Sequence, residues 1–165
     1  MQIEEVPYPF IRPLIKSGDL LAWRHSTLFA KLIRHWTGGS YSHVGIAWLF
    51  RDRIFVLQDK EKQGINLVAL SYNLPCDWIS TGAVWTEIVE TEAMRHLGQS
   101  YSFLNCILAG LNIHPVGVKR ICSDYAYSIL QLSGVIEKQH ALTPVQLVDL
   151  LLDLGKPLSM VAKLE

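Results

Sequence analysis

Cys122 and His43 are the residues whose types and settings could do chemistry together. A thiolate is a strong nucleophile, and an imidazole can take the thiol proton and later return it to a leaving group, the double role that acyl transfer requires. His43 opens Ser42-His43-Val44-Gly45-Ile46-Ala47-Trp48, a β-branched and aromatic run that reads as a buried strand. Cys122 opens a stretch in which apolar residues recur every three or four positions to Leu130, the pattern of a helix starting near the cysteine. A helix start favours the thiolate through its unpaired N–H groups and positive dipole end, and Lys119 and Arg120 precede it. The imidazole also needs an orienting partner on its far nitrogen, and the next strand ends in Gln58 and Asp59. Each residue has a plainer reading too. A cysteine on an apolar stripe is more often packing than nucleophile, and a strand histidine is more often structural than a base.

The elements that must position this pair follow from periodicity. Leu20 to Trp23 reads as a short strand. A meander of three more covers His43 to Phe50, Ile54 to Gln58 and Ile65 to Leu70, with short connections that favour antiparallel neighbours. The alternation from Ala83 to Glu90 suggests a further strand with one wet face. Ser26 to Trp36 reads as an amphipathic helix with Lys31, Arg34 and His35 on its basic face. Helical spacing returns at Thr91 to Leu97, Ser102 to Leu111, Ile121 to Leu132 and Thr143 to Leu154, the last with a capping box and a Gly155-Pro157 stop. The expectation is an α+β fold, an antiparallel sheet of about four to five strands with helices on one side. Residues 1 to 17, with Pro7, Pro9 and Pro13, read as an extended N-terminal arm on a single domain from 18 to 165.

Composition excludes several classes. The chain has 165 residues, half of them hydrophobic, enough for one well-buried core. Fifteen basic and fifteen acidic residues cancel, so there is no footprint for nucleic acid. Cys76, Cys106 and Cys122 lack CxxC spacing, and His25, His35, His96, His114 and His140 show no ligand spacing, so neither a metal site nor a cofactor is expected. The acidic start Met1-Gln2-Ile3-Glu4-Glu5 does not resemble an export signal, and no apolar window reaches the roughly 20 residues of a membrane span. The default compartment is cytoplasmic, with export by another route open.

The order of the segments resembles the circularly permuted branch of the NlpC-type papain-like amidohydrolases, the YiiX-like group. Gly18-Asp19-Leu20-Leu21 is similar to that group's opening strand, and Thr37 to Ile46 to its histidine strand. Leu97 to Phe103 resembles its Gly-x-x-Tyr segment, Ile121-Cys122-Ser123-Asp124 its cysteine motif, and Leu142-Thr143-Pro144 the segment that follows. The resemblance implies a permuted papain-like fold, Cys122 as nucleophile, His43 as base, and Gln58 as third residue with Asp59 as fallback. It places Tyr101 and Ser123 near the oxyanion. A glutamine at the third position departs from the acidic residue that group often carries. The implied activity is that of a thiol amidohydrolase or peptidase acting through a thioester, on cell-wall-type peptides. The alternatives are a lipid-directed acyl hydrolase or acyltransferase, or a non-catalytic binding domain of the same shape.

Overall fold

The computed structural model describes residues 5–24, 39–60, 63–99, 122–137 and 143–163. The helices expected at Ser26 to Trp36 and Ser102 to Leu111 lie outside these residues. Among them runs a seven-stranded, mostly antiparallel sheet, formed by β1 (Glu5–Pro7), β2 (Leu20–Trp23), β3 (His43–Phe50), β4 (Arg53–Lys60), β5 (Gly64–Ala69), β6 (Cys76–Ile79) and β7 (Leu158–Ala162). The spatial order is β1-β7-β6-β2-β3-β4-β5, and only β1 and β7 pair in parallel. The α-helices among the described residues are α1 (Tyr8–Ile11), α2 (Glu87–Arg95), α3 (Cys122–Leu132) and α4 (Pro144–Asp153).

The sheet therefore exceeds the four to five strands expected. The meander β3-β4-β5 and strand β2 stand where the β-branched and apolar runs put them. The three additional strands are short: β1 and β6 sit among prolines, and β7 is five residues beyond a helix stop. In β6 the charge of Asp77 hides a fully buried strand. The run from Ala83 to Glu90 is not a strand. Thr86 caps α2, its Oγ1 accepting from the Val89 N–H at 3.3 Å, and this places Glu87 and Glu90 in the first turn, where the helix dipole favours carboxylates. Glu90 then accepts from two indoles, Trp85 Nε1 at 2.9 Å and Trp48 Nε1 at 3.2 Å, which ties α2 to β3.

Both faces of the sheet are covered. Leu20, Ala22, Val44, Ile46, Leu57 and Ile79 meet residues of α2, α3 and α4 on one side. Leu21, Trp23, Ala47, Val56 and Trp78 meet Ile11 and Ile15 on the other. Residues 5 to 17, expected as an extended arm, are thus β1 and helical turns with Ile11 and Ile15 buried. In α3 the buried stripe is Cys122, Tyr125, Ala126, Ile129 and Leu130, the i, i+3, i+4, i+7, i+8 series of one helix face. Each large apolar side chain so buried stabilises by roughly 2 kcal/mol. The Tyr125 hydroxyl donates to Ala93 O at 2.9 Å, fixing α3 against α2. In α4 Thr143 and Gln146 form the expected capping box, with Thr143 N to Gln146 Oε1 at 2.9 Å and Gln146 N to Thr143 Oγ1 at 3.3 Å.

The Gly18-Asp19 pair is a structural hub. Gly18 has φ +91°, and a Cβ there would lie 2.4 Å from Ala83 Cβ, so only glycine fits. Asp19 is buried and accepts from Lys16 N at 2.8 Å, Trp78 Nε1 at 2.8 Å and Thr81 N at 3.0 Å. Burial pushes its carboxyl up from the ordinary range, and these three donors pull it back. Asp19→Asn would turn an amide NH2 toward a donor. The expected cost is about 2 kcal/mol, a fall in Tm of roughly 5 °C in a thermal melt.

Candidate active site

His43 is the first residue of β3 and pairs in register with Trp23 of β2; on the other flank Gly45 of β3 pairs with Gln58 of β4. His43, Gly45 and Gln58 thus share a sheet face. A Cβ on Gly45 would meet Val56 Cγ1 at 2.7 Å and Gln58 Cβ at 3.2 Å, so the glycine leaves the space beside Gln58 open. Gln58 Oε1 lies 2.8 Å from His43 Nε2. The Gln58 amide N–H donates to Asn66 Oδ1 at 3.3 Å, and the Asn66 amide N–H donates to Gln63 Oε1 at 3.0 Å. This chain of amides fixes the ring. With the Gln58 NH2 turned to Asn66, its oxygen faces His43, so Nε2 carries the proton and donates, and Nδ1 is the acceptor nitrogen of the neutral ring. The Trp23 ring stands 5.5 Å from the imidazole, tilted by 41°, and its indole N–H is held by Asn73 O at 2.6 Å.

Of the two residues weighed as orienting partner, Gln58 is the one that meets His43. Asp59 is also buried, but it pairs with Ile65 and projects with it into the helix-side layer. Cys122 is the first residue of α3, which packs across β3 and β4, the two strands that carry His43 and Gln58. It is 2% exposed and belongs to the helix-side core with Tyr41, Val44 and Ala126, whereas the alternation of β3 starts the His43 side chain on the Gly45 face. Ser123 is fully buried, its Oγ without a hydrogen-bond partner among the described residues. Tyr101, Cys106, Lys31, Arg34 and His35 lie outside the described residues.

A second polar group flanks the start of β3 and was not among the sequence candidates. Tyr41 donates its hydroxyl to Asp77 Oδ2 at 2.6 Å, and Arg24 donates to the Tyr41 hydroxyl at 2.9 Å and to the Asp77 carboxylate. The Arg24 guanidinium also lies 4.9 Å over the Tyr41 ring. Burial, together with the Asp77 carboxylate, pushes the Tyr41 phenol up to about 12. A cavity of about 320 Å³ opens here, lined by Trp23, Arg24, Pro75, Cys76 and Asp77 among others. The Cys76 thiol in its wall is driven up by burial and by Asp77, so it stays protonated and inert at neutral pH. Asp77 reads in the sequence as a chain break. Its role is legible only once β6 is known to lie beside β2.

The fold is α+β with a mostly antiparallel seven-stranded sheet backed by helices. Among solved structures it is similar to the metalloprotein YiiX from Escherichia coli O157:H7, with a TM-score of 0.57 over 88% of each chain and 16% identity. At that identity the likeness is one of fold. No family model and no curated protein matches the chain. That neighbour is described as a metalloprotein; among the described residues of this chain no three of His, Cys, Asp or Glu converge as ligands. No helix among them is long and apolar enough to cross a membrane.

Proposed function

We propose that this protein is a cysteine-dependent hydrolase of amide bonds in which Cys122 attacks, His43 moves the proton and Gln58 orients the ring. The observation that carries the reading is the 2.8 Å contact between His43 Nε2 and Gln58 Oε1, because it leaves Nδ1 as the nitrogen able to take a proton. The helix dipole at Cys122 and the packing of α3 across β3 and β4 support it. The reading requires Sγ and Nδ1 to meet beside the start of β3.

Nδ1 takes the Sγ proton, and the thiolate adds to the substrate carbonyl carbon. The N–H groups at the start of α3 are the donors for the oxyanion, which developing negative charge strengthens. Collapse breaks the C–N bond, and the amine leaves with the proton from Nδ1. Water, deprotonated by the same nitrogen, then cleaves the thioester and returns the proton to sulfur. Peptide amides, as in cell-wall peptides, are the substrate class put forward. Acyl esters or amides of lipids are the alternative, and transfer to an amine or alcohol would differ only in the acceptor.

Iodoacetamide labelling at neutral pH tests the nucleophile. Cys122 should react faster than Cys76 and Cys106, and His43→Ala should slow it about tenfold by removing the proton acceptor. Equal rates at the three cysteines, or an inert Cys122, would favour the second reading, a binding domain without catalysis. The observation behind that reading is the burial of Cys122 in the helix-side core while His43 starts on the other face.

A further inference from the structure

The end of the sheet remote from His43 carries a combination that the proposed chemistry does not use. Phe10, Leu14, Leu49 and Phe50 are 73%, 58%, 41% and 48% exposed. Phe10 and Leu14 sit on the outward side of helical turns whose Ile11 and Ile15 are buried. Three contacts hold those turns beside the β3-β4 hairpin. Arg12 donates to Asp52 O, Leu49 N donates to Ser17 Oγ at 2.9 Å, and Gly18 N donates to Ala47 O at 2.9 Å. The four side chains therefore belong to one end of the molecule. Exposed apolar residues scattered singly need no explanation, but a cluster of large ones does.

Along these two segments the charges are one-sided, and the carboxylate of Glu90 behind Trp48 is already held by two indole N–H groups. Residues 10 to 17 and 49 to 54 contain Arg12, Lys16, Arg51 and Arg53 against Asp52 alone, in a chain whose formal charge is zero. Asp52 is already engaged by Arg12. Arg51, at the hairpin tip, lies 5.5 Å over the Phe50 ring, and Phe50 stacks on Trp48 at 5.0 Å. Aromatic and aliphatic side chains surrounded by arginine and lysine match the interface of an anionic bilayer, where the rings enter the headgroup region and the cations meet lipid phosphates. A second copy of the chain is the competing occupant, because Ile88 and Leu132 stand exposed beside Glu87 and Glu92 in a groove of α2 and α3. Self-association of the protein without vesicles, lost when Arg51 and Arg53 are both changed to glutamate, would overturn the inference in its favour.

We infer that this end of the sheet, formed by Phe10, Leu14 and the hairpin tip Leu49 to Arg53, docks peripherally on membranes rich in anionic lipid. His43 opens the eight-residue β3 and Phe50 closes it, so the docking end stands roughly 23 Å from the imidazole at about 3.3 Å per residue. The bound protein holds its candidate site away from the lipid. This inference is independent of Cys122, and each can fail without the other.

Sedimentation of the full chain with vesicles of phosphatidylcholine alone, and of phosphatidylcholine mixed with phosphatidylglycerol, tests it. The protein should pellet with the mixed vesicles and stay in solution with the neutral ones, and the summed emission of its five tryptophans should shift to the blue on binding, through Trp48 beside Phe50. Arg51→Glu with Arg53→Glu should weaken binding about 30-fold or more. Phe10→Ser with Phe50→Ser should weaken it at unchanged charge, and the exposure of all four residues leaves the thermal melt intact as a folding control. Absence of binding to the mixed vesicles, equal binding to both kinds, or indifference to both double variants would overturn the inference.

Discussion

Cys122→Ala is expected to lower hydrolysis of a responsive amide substrate at least about 10³-fold, with His43→Ala falling by a similar factor and the double variant no further. The non-additivity is the discriminating part. If sulfur and imidazole act as one unit, removing the second after the first removes nothing more, whereas two residues that merely support the fold would add their effects. Cys122→Ser is the companion variant. It keeps the shape of a side chain that is 2% exposed, so its melt should stay near that of the parent while its turnover falls. The measurement is product release from a panel of short peptide amides and acyl esters. The ratio between the two substrate kinds separates the peptide reading from the lipid reading. Full turnover by the alanine variant would end the nucleophile assignment, and a loss explained entirely by a lower Tm would return Cys122 to the core.

What the sequence made legible, and what it did not, divides along one physical line. Elements whose own side chains form apolar β-branched runs or helical repeats were readable. The run Val44 to Phe50 is apolar throughout because Val44 and Ile46 enter one layer and Ala47 the other, and α4 announces its start through Thr143, Pro144 and Gln146. Elements whose environment is supplied by distant residues were not. Asp77 looks like a chain break until Arg24 and Tyr41, respectively 53 and 36 positions away, are seen to meet its carboxylate. The stretch from Ala83 to Glu90 fits two periods at once, and the decision falls to Thr86, whose capping hydroxyl outweighs the alternation. The same division runs through the candidate site. His43 and Gln58 were readable because adjacent strands joined by a short turn fix their register, and Gly45 opposite Gln58 leaves space there. The Trp23 ring beside the imidazole was not, because β2 pairs with β3 across a separation that no local pattern reports. The Gly18-Asp19 pair was legible as a motif but silent about its purpose, which is to gather three N–H donors from two segments around one buried carboxylate.

Gln58 should be the most informative position after the pair itself. Gln58→Leu removes the acceptor for His43 Nε2–H and breaks the amide chain through Asn66 to Gln63. The ring then divides between its two neutral tautomers and can turn, so the nitrogen needed by the thiol is available only part of the time. A fall in kcat of about 10²-fold is expected, with KM little changed, because the residue touches the ring and not the substrate. Gln58→Glu distinguishes this positioning role from a packing role. A carboxylate would still accept from Nε2–H, keeping the tautomer, and would add charge stabilisation to the imidazolium that an amide does not give. Stabilising the protonated ring raises its pKa, and the ring must be neutral to take the Sγ proton. The acid limb of the kcat/KM profile should therefore move to higher pH while the leucine variant shows no such movement. Recovery of rate with glutamate, joined to that displacement, is the result a merely structural glutamine would not produce; equal loss in both variants with an unmoved profile would take Gln58 out of the mechanism.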